Sequence, residues 1–250
     1  MRLFLSIKLT VLLVSAFLSS PQGVFAETEN SKKNSAEGLL KAGQTTRLIS
    51  AGSYHLSYHV ATPEEWSAAE SRALLILFSP RGDGARILKT VAPAANRYGW
   101  VAVGVDKLKN GAMDTRTMWK MEDEVLDAIF ETVPHDRERV YLGGLSGGAM
   151  RAYSVTVRRP EPFAGVISMG GWLGGTQYAH RDYPHGMAVA MISGNNDVGA
   201  LQWSKHDATV FTRRGGRVQM FVFPGGHEMA PTKIIRQAVK WLEQDWRDYR

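Results

Sequence analysis

The chain has 250 residues, 25 glycines, no cysteine and a formal charge of +6. Without cysteine it has no disulfide, thiol nucleophile, Cys-based zinc site or cysteine-linked lipid anchor. The positive excess is scattered in pairs such as Arg158-Arg159 and Arg213-Arg214, which reads as solvated surface and argues against a nucleic-acid partner.

In chain order, residues 1–26 have the build of a signal peptide. Arg2 and Lys8 flank the start of an apolar run, 9–18, and Val24-Phe25-Ala26 has signal-peptidase spacing. That run is about half of the roughly 20 residues a bilayer crossing needs. The expectation is export, to a periplasm or the medium, with no stable membrane span after cleavage. An uncleaved anchor is the alternative. Residues 27–44 are polar and are expected to be a mobile leader, with one folded domain over 45–250.

Runs at 46–50 and 54–61 have no helical pattern between them and predict an antiparallel hairpin at a sheet edge. The run 73–79 holds Leu74-Leu75-Ile76-Leu77-Phe78, continuously apolar as in a strand covered on both faces. Further strands are expected at 100–105, 139–145, 163–169, 188–193 and 217–223. Helical periodicity is clearest over 114–133, where Met118, Met121, Val125, Leu126, Ile129, Phe130 and Val133 share a face. It recurs over 231–248 with Ile234, Ile235, Ala238, Val239, Leu242 and Trp246. Glu122-Asp123-Glu124, inside the first of these helices, reads as a solvated face. His55 and His59, placed on one strand, would lie about 13 Å apart, too far to share a metal ion.

Reactive residue types follow three strand ends. Gly144-Leu145-Ser146-Gly147-Gly148 lies between a strand and a helical pattern starting near Gly147, the setting of a nucleophile elbow. The strand 188–193 runs into Gly194-Asn195-Asn196-Asp197, and 217–223 runs into Pro224-Gly225-Gly226-His227. A serine hydroxyl needs a base to take its proton, and the base needs an acid to fix its tautomer. Ser146, Asp197 and His227 are therefore the expected catalytic residues, in the order serine, acid, histidine. Singly, each has a plainer reading: a turn serine, a helix N-cap aspartate and a surface histidine. The oxyanion donors are expected to be the Gly147 amide and, from the loop Ser79-Pro80-Arg81-Gly82-Asp83-Gly84, that of Arg81, because Pro80 has no N–H. Arg81-Gly82-Asp83 spells an adhesion tripeptide, but it sits in this loop. After 163–169, only Gly170 to Gly186 is free before the next strand, too little for a cap. Trp172 in that segment is expected to contact substrate or plug the loop. Tyr178, His180, Tyr183 and His185 are expected at the rim.

On Gly144-Leu145-Ser146-Gly147-Gly148, Asn196-Asp197 and Gly225-Gly226-His227, the chain resembles the α/β-hydrolase superfamily. Within it the resemblance is to small exported esterases: polyhydroxybutyrate-depolymerase-like, feruloyl-esterase-like and carboxylesterase or phospholipase-type members. It implies an α/β fold with a mostly parallel eight-stranded sheet, helices on both faces and no large cap domain. It also implies hydrolysis of small-molecule or polymeric esters through an acyl-enzyme, with no cofactor and no metal. A serine peptidase, an acyltransferase or a non-catalytic binding domain on the same fold are the alternatives. Relatives usually carry His-Gly after the third strand, where this chain has Ser79-Pro80.

Overall fold

In the computed structural model, which describes residues 38–249, the expected strands appear as β1 (Thr45–Ile49), β2 (Ser57–Ala61), β3 (Leu74–Phe78), β4 (Val101–Val105), β5 (Val140–Leu145), β6 (Phe163–Met169), β7 (Ala188–Gly194) and β8 (Arg217–Phe223). The expected signal segment and the first part of the leader lie outside the described residues. One sheet forms in the order β1-β2-β4-β3-β5-β6-β7-β8. β1 is antiparallel to β2 and β2 to β4, and every later pairing is parallel. Five helices supply the crossovers and the C-terminal cover: α1 (Gly84–Asn96), α2 (Thr115–Thr132), α3 (Gly147–Arg158), α4 (Val198–Arg213) and α5 (Thr232–Tyr249).

Strand alternation divides the core in two. Leu74, Ile76 and Phe78 pack with Met118, Val125 and Ile129 of α2 and with Tyr153 of α3. Leu75 and Leu77 point to the other face, against Ile87 and Val91 of α1 and Ile235 and Leu242 of α5. Burying each of these side chains contributes about 1.5–3 kcal/mol, and their continuous apolar run follows from having a core on both sides. The chain passes from β3 to β4 on one side and to β5 on the other. The carboxyl ends of β3 and β5 therefore meet at a point where strand order reverses, the usual place for a ligand in an open α/β sheet.

Three expectations change. Leu40, in the stretch expected to be leader, is only 2% exposed and belongs to the core. The Gly43 N–H donates to Pro63 O at 2.9 Å and the Thr62 hydroxyl to Lys41 O at 2.5 Å, so packed structure reaches back to residue 40. His55 is not on a strand: it has a φ of 46° in the turn before β2, while His59 is on β2 and meets Asp106 at 2.9 Å.

The acidic run of α2 is not a solvated face. Glu122 is buried and accepts from Arg151 Nη1 and, at 2.8 Å, from Arg158 Nη2. Asp123 accepts from Arg158 at 2.5 Å, and Asp127 from Arg159 at 2.7 Å. Glu124 accepts from the Ser50 hydroxyl at 2.6 Å and the Tyr54 N–H at 2.9 Å. Arg158-Arg159, read from sequence as surface charge, is thus the basic half of an ion-pair seam between α2 and α3.

Candidate active site

Ser146 lies between the end of β5 and the start of α3 with φ 54° and ψ −123°. A residue with a Cβ costs about 1–3 kcal/mol in such a sparsely populated region. The turn is tied down by Ser146 N–H donating to Met169 O at 2.8 Å and Ala149 N–H donating to Ser146 O at 2.9 Å. It also packs against the end of β3, where a Cβ at position 148 would collide with the Phe78 carbonyl, its carbon 2.7 Å away. Gly148→Ala is therefore expected to lower stability by about 1–3 kcal/mol through overpacking against backbone. The check is the midpoint of urea unfolding; an unmoved midpoint would contradict this packing.

Asp197 closes β7 into α4. Its Oδ1 accepts from the Ala200 N–H at 3.4 Å, as an N-cap does, and its Oδ2 lies 2.5 Å from His227 Nδ1. The plain reading of this aspartate and the catalytic one thus describe the same side chain. The loops after β7 and β8 are laced together: Asn195 N–H donates to Phe223 O at 2.9 Å, Asn196 N–H to Gly225 O at 2.9 Å, and Gly225 N–H to Asn195 Oδ1 at 3.1 Å. That lacing sets the distance between acid and histidine.

Ser146, Asp197 and His227 line one cleft of about 200 Å³, together with Met150, Gly170, Trp172, Gly199, Ala200 and Trp203. Among the described residues the Ser146 hydroxyl has no hydrogen bond to His227. Such contacts are often long in unliganded sites and tighten when substrate binds. Trp172 packs on Trp203 with ring centroids 4.3 Å apart. Its loop is anchored by Leu173 N–H donating to Asp207 Oδ2 at 2.8 Å. Burial pushes the Asp207 carboxyl above the usual range, against the opposing pull of His206. Trp203 was not visible as a site residue, because it lies inside α4 and reaches the cleft only through tertiary packing.

The Gly147 amide opens α3, where the first N–H groups have no intrahelical partner and the helix dipole favours negative charge. Arg81 N–H donates to Ser79 Oγ at 3.3 Å, and Arg81 pairs as an antiparallel bridge with Lys109. Asp83, of the adhesion-like tripeptide, caps α1 by accepting from Arg86 N–H at 2.9 Å. The same loop is held at its far end by Asp106, whose Oδ1 accepts from Gly84 N–H at 2.7 Å. Burial tends to raise the Asp106 carboxyl, but hydrogen bonds from Ser57, Gly84 and His59 outweigh it and hold the group below its ordinary value.

A second cleft, of about 460 Å³, adjoins the first at Met150 and reaches the elbow at Gly147. Met113, Trp119, Leu173, Tyr178 and Tyr183 give it apolar walls, and Arg181 stands over Tyr178 at 4.4 Å. Tyr178 and Tyr183 thus line this second cleft and not the one that holds Ser146. His185 lines a different depression, with Arg217 and Asp245. Among the described residues no group of three or more His, Cys, Asp or Glu is arranged to hold a metal ion, and no helix is long and apolar enough to cross a membrane.

No protein-family model and no curated protein matches the chain. Solved structures do. A fluorophosphonate-binding serine hydrolase of Staphylococcus aureus superposes with a TM-score of 0.63 at 15% identity, over 81% of this chain and 99% of that one. The chain has the α/β-hydrolase fold. The thermophilic carboxylesterase EstE1 from a metagenomic library gives a TM-score of 0.64 at 11% identity, over 92% of this chain and 99% of that one. A Bacillus cereus carboxylesterase gives 0.59 at 16% identity, over 76% and 94%. Ser146, Asp197 and His227 follow the ends of β5, β7 and β8.

Proposed function

We propose that the protein is an exported serine hydrolase that cleaves carboxylic esters through an acyl-enzyme. The observation that carries this is a left-handed serine, Ser146, sharing one cleft with a histidine hydrogen-bonded to aspartate at 2.5 Å. Export rests on the sequence of residues 1–26. Hydrolases and carboxylesterases among the structural neighbours support the reaction class.

Ser146 Oγ attacks the ester carbonyl while His227 Nε2 takes its proton. Asp197 accepts the Nδ1–H of His227, which fixes the reactive tautomer and stabilises the imidazolium. The carbonyl oxygen becomes an oxyanion held by the Gly147 N–H, with the Arg81 N–H as the backbone candidate for a second donor, in competition with Ser79 Oγ. Collapse expels the alcohol with the proton from His227, and water then hydrolyses the acyl-Ser146 bond by the same steps. Side chains, backbone and water supply the whole sequence. Trp172 and Trp203 beside Ser146 fit an apolar or aromatic portion of the ester.

The test is labelling of the mature chain by a fluorophosphonate, with a panel of p-nitrophenyl, hydroxycinnamoyl, acetylated-xylan and polyhydroxyalkanoate esters. Labelling lost in Ser146→Ala, with turnover of at least one ester class, is the expected result. A folded wild type that neither labels nor turns over any ester would sink the proposal.

A further inference from the structure

We infer that the side-chain carboxamide of Asn110 is an oxyanion donor of this site, a role that rests on the esterase reading above. A tetrahedral oxyanion needs more than one donor, and the backbone of the loop after β3 is poorly supplied. Pro80 has no N–H, and the N–H of Arg81 is engaged by Ser79 Oγ at 3.3 Å. Neither Pro80 nor Arg81 lines either cleft at Ser146 or Gly147.

The loop after β4 lies over this loop and is stitched to it. Lys107 N–H donates to Gly82 O at 2.8 Å, Asn110 N–H donates to Pro80 O at 3.0 Å, and Lys109 bridges Arg81. The stitching delivers Asn110 to the elbow. Its carboxamide lies against Gly147: a Cβ built there would overlap it, with Asn110 Cγ 2.6 Å and Oδ1 2.7 Å away and Nδ2 nearest of all. Asn110 and Gly147 share the wall of the larger cleft. Among the described residues the carboxamide makes no hydrogen bond, so its two N–H donors are unspent. A glycine at 147 has the same explanation, since any side chain would displace the carboxamide from its place against residue 147. Asn110 thus stands where Pro80 leaves the backbone one donor short.

The test compares steady-state kinetics of wild type, Asn110→Ala and Asn110→Asp on the best ester of the panel, with fluorophosphonate labelling of Ser146 and thermal melts as controls. Loss of one such donor lowers kcat by about 100- to 1,000-fold. The expected result is a fall of that size for Asn110→Ala with KM within about threefold. Asn110→Asp is expected to be slower still at pH 8, because a carboxylate would face the developing negative charge, and to recover relative to Asn110→Ala as the pH falls toward the carboxylic pKa of about 4. A merely structural role would move the melting temperature and not give that pH-dependent crossing. A folded Asn110→Ala enzyme with kcat within threefold of wild type would overturn the assignment while leaving the esterase reading intact. So would a change confined to KM. A wild type that neither labels nor turns over esters overturns both.

Discussion

Replacing Ser146 with glycine is expected to abolish ester turnover and raise the melting temperature in the same variant. Turnover should fall by at least about 10,000-fold, as for removal of any activated nucleophile. The gain in stability comes from the backbone. At φ 54° and ψ −123° a serine is strained and a glycine is not. Relief of about 1–3 kcal/mol, less about 0.5–1 kcal/mol for the extra freedom of glycine in the unfolded chain, leaves roughly 1 kcal/mol. For a domain of this size that is about 2–4 °C. Ser146→Ala is the control, because it removes the same hydroxyl and keeps the Cβ. A glycine variant melting no higher than the alanine variant would show that the elbow is not strained at this residue.

The second large effect is expected in the seam between α2 and α3, in the wall of the larger cleft. Glu122→Ala leaves Arg151, with only 8% of its side chain exposed, with no carboxylate on its Nη1. Removing one partner from a buried pair costs about 3–5 kcal/mol. Replacing Glu122 and Arg151 together with methionine is expected to restore most of that loss, since the penalty is an uncompensated charge and not a missing contact. Urea unfolding of the single and double variants checks both statements. A Glu122→Ala loss below about 1 kcal/mol would mean that water reaches the seam. Because Glu122 and Arg151 also line the larger cleft, the single variant should lose activity on bulky esters sooner than on short ones.

Most of the sheet was readable from the chain because buried parallel strands leave an unmistakable trace. Leu74 to Phe78 and Val101 to Val105 are buried throughout, so nothing polar interrupts them. Helix α1 was harder. Pro93 sits inside it, on its exposed face, where the lost backbone hydrogen bond does not disturb the buried side. Ser146, Asp197 and His227 stood out because each follows the end of a strand, β5, β7 and β8, in the order serine, acid, histidine. Asn110, Trp203 and the partners of Glu122 did not. Each is brought to its place by a crossover or a loop stitch, and local periodicity carries no record of which distant segment will lie alongside. The charged run of α2 shows this most clearly: three acids in a row look like water-facing residues until Arg151 and Arg158 of α3 are seen on Glu122 and Asp123, and Ser50 and Tyr54 on Glu124.

The carboxylate of Asp197 divides its labour between its two oxygens, one stopping the start of a helix and one holding an imidazole. An asparagine there has a single oxygen and must abandon one duty, either leaving Ala200 N–H uncapped or turning an amide donor toward Nδ1 and enforcing the wrong tautomer. Anything that unwinds the first turn of α4 therefore also swings the acid away from its histidine.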